Sequence, residues 1–116
     1  MNLKEQLKLS DIALNNKDFA KAKTLLEEAI KKYPDIFELN FKLGLVNNFL
    51  GNLKESINYY KKSIKLNPNF SPAYCNLGII YDKLNYKDFA IKNYLTAIKF
   101  INAKSISYEI NWSKKR

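Results

Sequence analysis

Histidine is absent from this 116-residue chain, and cysteine occurs once, as Cys75. With no histidine and a thiol lacking a sequence-visible base, no Ser–His or Cys–His nucleophile can be assembled. Zinc sites need several Cys or His ligands, so no metal is expected either. A lone cysteine excludes an intrachain disulfide and fits a reducing compartment, which makes the cytoplasm the expected location. Three glycines and three prolines leave little room for long loops, and none forms a glycine-rich phosphate cradle. No run approaches the roughly 18 consecutive apolar residues of a membrane span. The stretch Met1 to Lys8 is charged every few residues and lacks the apolar core of a secretory signal. These absences argue against an enzyme and against any cofactor.

Arginine is nearly missing as well. Of 20 basic residues 19 are lysine and only Arg116 is arginine; against 11 acidic residues the net charge is +9. Such a balance raises nucleic-acid binding as a reading. The planar fork that grips guanine or phosphate is the residue in short supply, however. Lys, Asn and Ile also share A/T-rich codons, so generic surface charge from genome composition is the expected source of much of the excess, with a polyanion site or attraction to acidic proteins as the alternatives. RNA or another polyanion is therefore the runner-up partner.

What the chain does have is a period. Leu43-Gly44 and Leu77-Gly78 stand 34 residues apart, and so do Pro34 and Pro68. On the same interval fall Ala22, Ser56 and Ala90, then Leu26, Tyr60 and Tyr94, then Ala29, Ser63 and Ala97. A fixed interval of this size means a stack of one supersecondary unit. Each period reads as two helices. Apolar spacing predicts one over residues 3–14, ending at Asn15-Asn16, and another from Phe19 to Ile30, stopping before Pro34. The second period starts near Ile36-Phe37, breaks at Gly51-Asn52 and closes at Asn67-Pro68. Its restart, Asn52-Leu53-Lys54-Glu55, reads as a capping box. The third opens with Ser71 as N-cap and Pro72 at the first helical position, turns at Asn85-Tyr86 and resumes around Asp88. Connections this short force antiparallel pairs. Ser10, Gly44 and Gly78 are small where paired helices approach, with Leu9, Leu43 and Leu77, together with Tyr60 and Tyr94, supplying the bulk between them. Three polar residues break the pattern: Gln6 and Asn40 occupy the column of Tyr74, and Asn47 that of Tyr81. Buried, Asn47 needs a hydrogen-bond partner.

These residues resemble the tetratricopeptide repeat. Leu77-Gly78, Tyr81, Ala90, Tyr94 and Ala97 carry the likeness in the third period; Leu43-Gly44, Gly51, Tyr59-Tyr60 and Leu66-Asn67-Pro68-Asn69 carry it in the second. The first keeps only Ala22, Ala29 and Pro34. The resemblance implies one all-α domain, a right-handed α-solenoid of three antiparallel helix hairpins at about residues 3–36, 37–70 and 71–104. Residues 105–116 would then be a C-terminal capping helix or an interaction tail bearing Trp112. Asn102 replaces the closing proline of the third period, so that helix is free to run past the repeat boundary.

The resemblance also implies that first helices line a concave groove. At about 100° per residue, the side opposite the core carries Leu7 and Asp11, then Phe41, Leu45, Asn48 and Phe49, then Cys75, Ile79 and Lys83. Leu7, Phe41, Leu45, Phe49 and Ile79 are more apolar than a solvated face requires. Either they tuck under neighbouring repeats or they form a groove for an apolar or amphipathic segment of another protein. Lys8 and Lys42, one period apart, form a basic rim about 10 Å across, judged from helix-packing distances. The carboxylate clamp of chaperone co-factors is mostly missing: Leu7, Asp11, Lys42, Pro72 and Asn76 hold the matching positions. A protein-interaction module, an adaptor or scaffold, is thus the expected function. Self-association through the concave face or the Trp112 tail is a third reading.

Overall fold

The computed structural model describes the backbone of residues 1–114 and the side chains of residues 1–102, and every regular element among them is a helix. The order is α1 (Leu3–Asn15), α2 (Phe19–Lys32), α3 (Phe37–Phe49), α4 (Leu53–Leu66), α5 (Ser71–Lys83) and α6 (Lys87–Lys114). They fall into two units, one of α1 to α4 (Met1–Pro68) and one of α5 and α6 from Asn69 onward.

The three hairpin turns share one solution. Lys17, Gly51 and Asn85 lie 34 residues apart and are the positive-φ residues among those described, at 59°, 83° and 66°. In each turn the next residue donates its amide five residues back: Asp18 to Ala13, Asn52 to Asn47 and Tyr86 to Tyr81, all at 2.8 Å. That is the Schellman closure of a helix C-terminus, which requires a left-handed residue. Gly51 adopts it without strain and asparagine tolerates it, whereas lysine has no such allowance. Lys17→Gly is therefore expected to stabilise the chain by about 0.5–1 kcal/mol, the relief of strain exceeding glycine's extra chain entropy. A urea midpoint that stays put or falls would contradict this.

In the first unit, α1 pairs with α2, α3 pairs with α4, and α2 also lies against α3. Ala22, Leu26 and Ala29 of α2 share a buried cluster with Leu39, Leu43 and Val46 of α3. The second period carries serine where the others carry alanine, and both hydroxyls cross the hairpin. Ser56 Oγ donates to Gly44 O at 2.6 Å and Ser63 Oγ to Phe37 O at 3.0 Å. Buried, these hydroxyls would be costly unpaired; paired, they fasten α4 to the backbone of α3. In the second unit α5 pairs with α6, and Ala73, Leu77, Ile80, Ala90 and Ala97 are buried apolar residues of that pair.

Two local expectations are corrected. Asn52 begins α4 but makes no side-chain cap bond, because its Nδ2 donates instead to Asn47 Oδ1 at 3.1 Å. Ser71 is the first helical residue rather than the cap, with Phe70 at the cap position and Pro72 still within the first turn. At Asn102, which stands where Pro34 and Pro68 end the earlier periods, α6 does not stop but runs on to Lys114, as the missing proline allows. The interaction-tail reading of Trp112 lies outside the described side chains.

The polar residues of the core columns are all buried. Asn47 is satisfied on both sides, donating to Leu43 O at 2.8 Å and accepting from Asn52. Asn40 Nδ2 donates to Ile36 O at 3.0 Å and Pro34 O at 3.3 Å. Gln6 Oε1 and Asn40 Oδ1 have no partner among the described residues, an expense of about 1–3 kcal/mol each by the usual cost of a buried lone acceptor.

Candidate functional site

The spacing of Phe41, Leu45, Asn48 and Phe49 puts them on one side of α3, turned away from the column of Leu39, Leu43 and Val46. Phe41, Leu45 and Asn48 are half-buried and Phe49 is exposed. Two of these rings are held in place. The Phe41 ring lies 5.5 Å from that of Tyr60, tilted by 48°, and Phe49 stacks on Phe19 of α2 at 4.6 Å and 9°. Such contacts orient an aromatic side chain while leaving part of its surface available.

Beside this row lies α1. Leu7 is half-buried against the core cluster, and Asp11 one turn on is exposed. Lys42 Nζ donates to Asp11 Oδ1 at 2.5 Å, bridging α1 to α3. Of the two rim lysines, Lys8 is exposed and Lys42 is engaged by Asp11. A ligand carboxylate would have to displace Asp11 to reach it. Being partly exposed, the pair contributes about 0.2–1 kcal/mol; its use is to fix where one charge of each sign stands. Asn48 Oδ1 is buried without a partner among the described residues.

The corresponding columns of the second unit hold Cys75, half-buried, and Ile79 and Lys83, both exposed, on α5. Tyr74, next to Cys75, packs its ring 5.7 Å from that of Phe100, and burial pushes its hydroxyl pKa up. The Tyr94 hydroxyl is pushed up by burial first, then by Asp82 and Cys75. Both therefore stay protonated near neutral pH and supply no charge there. Among the described residues no group of three His, Cys, Asp or Glu is placed to hold a metal ion, and no helix is long and apolar enough to cross a membrane.

Leu7, Asp11, Phe41, Leu45, Asn48 and Phe49 thus belong to the first unit and Cys75, Ile79 and Lys83 to the second. Sequence reading missed two features. The Phe19–Phe49 stack was hidden because Phe19 counts only as an apolar residue of its own helix. The Asp11–Lys42 pair was legible in principle, as opposite charges 31 residues apart, three short of the period.

Comparison with known proteins agrees with the helix-hairpin fold. Tetratricopeptide repeat family models match residues 6–35, 37–70 and 59–99. A 62-residue stretch is 40% identical to the UDP-N-acetylglucosamine–peptide N-acetylglucosaminyltransferase of Giardia intestinalis, covering 49% of this chain but 4% of that enzyme. So short an overlap carries none of the enzyme's reaction to this chain. Among solved structures, MamA is similar with a TM-score of 0.79 at 27% identity, over 84% of this chain and 57% of the MamA chain. MamA from Desulfovibrio magneticus RS-1 gives 0.80 at 17% identity, over 84% and 55% respectively. The chain therefore spans little more than half of these structures. With three such models together matching residues 6–99 of a chain of helix hairpins, the chain belongs to the tetratricopeptide repeat family and is a module of the protein-interaction class.

Proposed function

We propose that the first unit holds an apolar or amphipathic segment of another protein along Phe41, Leu45 and Phe49, flanked by Leu7, Asp11 and Asn48. The observation that carries this reading is the row at i, i+4 and i+8 on α3, which leaves apolar surface in contact with solvent beside an ion pair. An amphipathic segment fits such a face because its apolar positions recur at the same spacing. Asp11 and Lys42 would set its register by offering one charge of each sign. On α5, Cys75, Ile79 and Lys83 are the contact positions of the second unit taken by itself. Burying two or three apolar side chains at about 1.5–3 kcal/mol each, less ordering costs, corresponds to micromolar affinity.

Phe41→Ala combined with Leu45→Ala should abolish capture of the partner from a native extract while circular dichroism keeps its helical signal. Full retention of binding by the double variant removes the assignment. Salt separates the runner-up. Binding to an apolar face should be nearly indifferent to salt, whereas RNA binding through the 19 lysines should collapse between about 50 and 200 mM.

A further inference from the structure

One joint inside the chain has both of its halves repeated elsewhere with apolar residues left exposed among the described side chains. In the α2–α3 joint, α3 contributes Leu43 and Val46, both fully buried, and α2 contributes Leu26 and Ile30. The columns of Leu43 and Val46 are buried again in α5, as Leu77 and Ile80. In α1 the same columns are Leu9 and Ile12, and there they are 38% and 46% exposed. So α1 presents the face with which α3 docks, uncovered.

The receiving half recurs on α6. Leu26 and Ile30 become Tyr94 and Ile98 two periods on, and Ile98 is 51% exposed. The face is also broader there. Ile91 and Leu95, 55% and 61% exposed, stand where α2 carries Lys23 and Glu27. A helix face turned only to water would keep such charges, because an amphipathic helix carries polar residues on its solvent side. Here the charges have been replaced by an isoleucine and a leucine, giving apolar residues at i, i+4 and i+7 along α6.

We propose that α6 receives α1 of a second copy of this chain, reproducing between copies the joint that α2 and α3 make within one. The polarity of the match is fixed by the internal joint, where Phe19 at the start of α2 stacks on Phe49 at the end of α3. Antiparallel docking then carries Glu5 of the incoming α1, in the column of Leu39, toward the C-terminal half of the strip, where Lys99 is exposed. The contact is heterologous: each copy has one donor face and one acceptor face, so copies add one after another instead of closing as a two-fold pair. The net charge of +9 per copy opposes this, and screening by salt should therefore strengthen the association. This surface is separate from the Phe41 row, so either reading can fail alone.

Sedimentation velocity over a concentration series tests it with two variants, Leu9→Glu/Ile12→Glu, lacking the donor face, and Leu95→Glu/Ile98→Glu, lacking the acceptor face. All four side chains are exposed, and circular dichroism verifies that both variants remain helical. The unaltered chain should gain mean mass with concentration, and more so at higher salt. Each variant alone should remain monomeric. An equimolar mixture of the two should stop at a heterodimer, since one intact donor and one intact acceptor remain. A wild-type chain that stays monomeric throughout overturns the proposal. So does a donor-face variant that still pairs with itself, which would mean α6 against α6, or loss of association on changing Phe41 and Leu45.

Discussion

Gly44→Leu should lower the stability of the first unit by about 3 kcal/mol, the upper end of the usual cost of overpacking. A Cβ at Gly44 would stand 2.6 Å from both Cδ1 and Cε1 of Tyr60, closer than real atoms come. Relief could come from the ring moving or from the helices parting. Tyr60 is fully buried, so its ring has nowhere to go. The helices are pinned at this level, because Ser56 Oγ donates to the carbonyl of Gly44 itself at 2.6 Å. The gain in helix propensity on replacing glycine, about 1 kcal/mol, offsets only part of the clash. Gly78 offers the contrast. Its Cβ would come equally close to Tyr94, at 2.6 Å from Cε1, but Tyr94 is only half-buried and its ring can swing outward. Gly78→Leu should therefore cost about 1 kcal/mol, the low end of the same range. Urea unfolding of both variants measures the difference; equal losses would show that ring mobility is not what separates the two sites.

Tyr60→Ala should be costlier still, at about 3–5 kcal/mol, the range for removing a large buried aromatic. The ring fills the space that Gly44 leaves open and supports Phe41, 5.5 Å away on the proposed binding row. The vacated volume lies directly over Gly44, so the two changes must be coupled. In the Tyr60→Ala background, Gly44→Leu should cost little or restore stability, with a coupling energy of about 2 kcal/mol or more, as contacting residues show. Additive losses in a double-mutant cycle would mean that the ring and the glycine are not each other's complement. Because Phe41 leans on this ring, the Tyr60→Ala chain should also bind its partner more weakly than its remaining helicity would suggest.

How much of this was legible beforehand varies from residue to residue. The period, the six helices and the small-against-large columns followed from spacing alone, because each repeat must bury the same face against a like neighbour. That Phe41, Leu45 and Phe49 share the side of α3 away from Leu43 followed as well, although only Phe49 of the three is exposed. Capping did not. The tetrapeptide Asn-Leu-Lys-Glu occurs twice, at residues 2–5 and 52–55. At Asn2 the side chain caps α1, accepting from Glu5 N at 2.8 Å. At Asn52 the same four residues do otherwise, because a buried Asn47 five residues earlier takes the amide. A solvated cap can be replaced by water, whereas a buried carbonyl oxygen has no substitute, so the interior partner wins.

Sequence by itself determined what each hairpin is: which faces are apolar, where the chain turns, and which columns must stay small. These are local or periodic properties, fixed by helical geometry and by the left-handed residue that every turn requires. Tertiary structure alone decided which apolar faces are covered. Leu43 and Leu9 occupy the same column of the repeat, yet one is sealed in the α2–α3 joint and the other stands in solvent. Likewise Ile30 and Ile98 differ in exposure because α3 lies against one and no described side chain covers the other to the same degree. Burial depends on what lies opposite, and a column of identical residues carries no record of its neighbour.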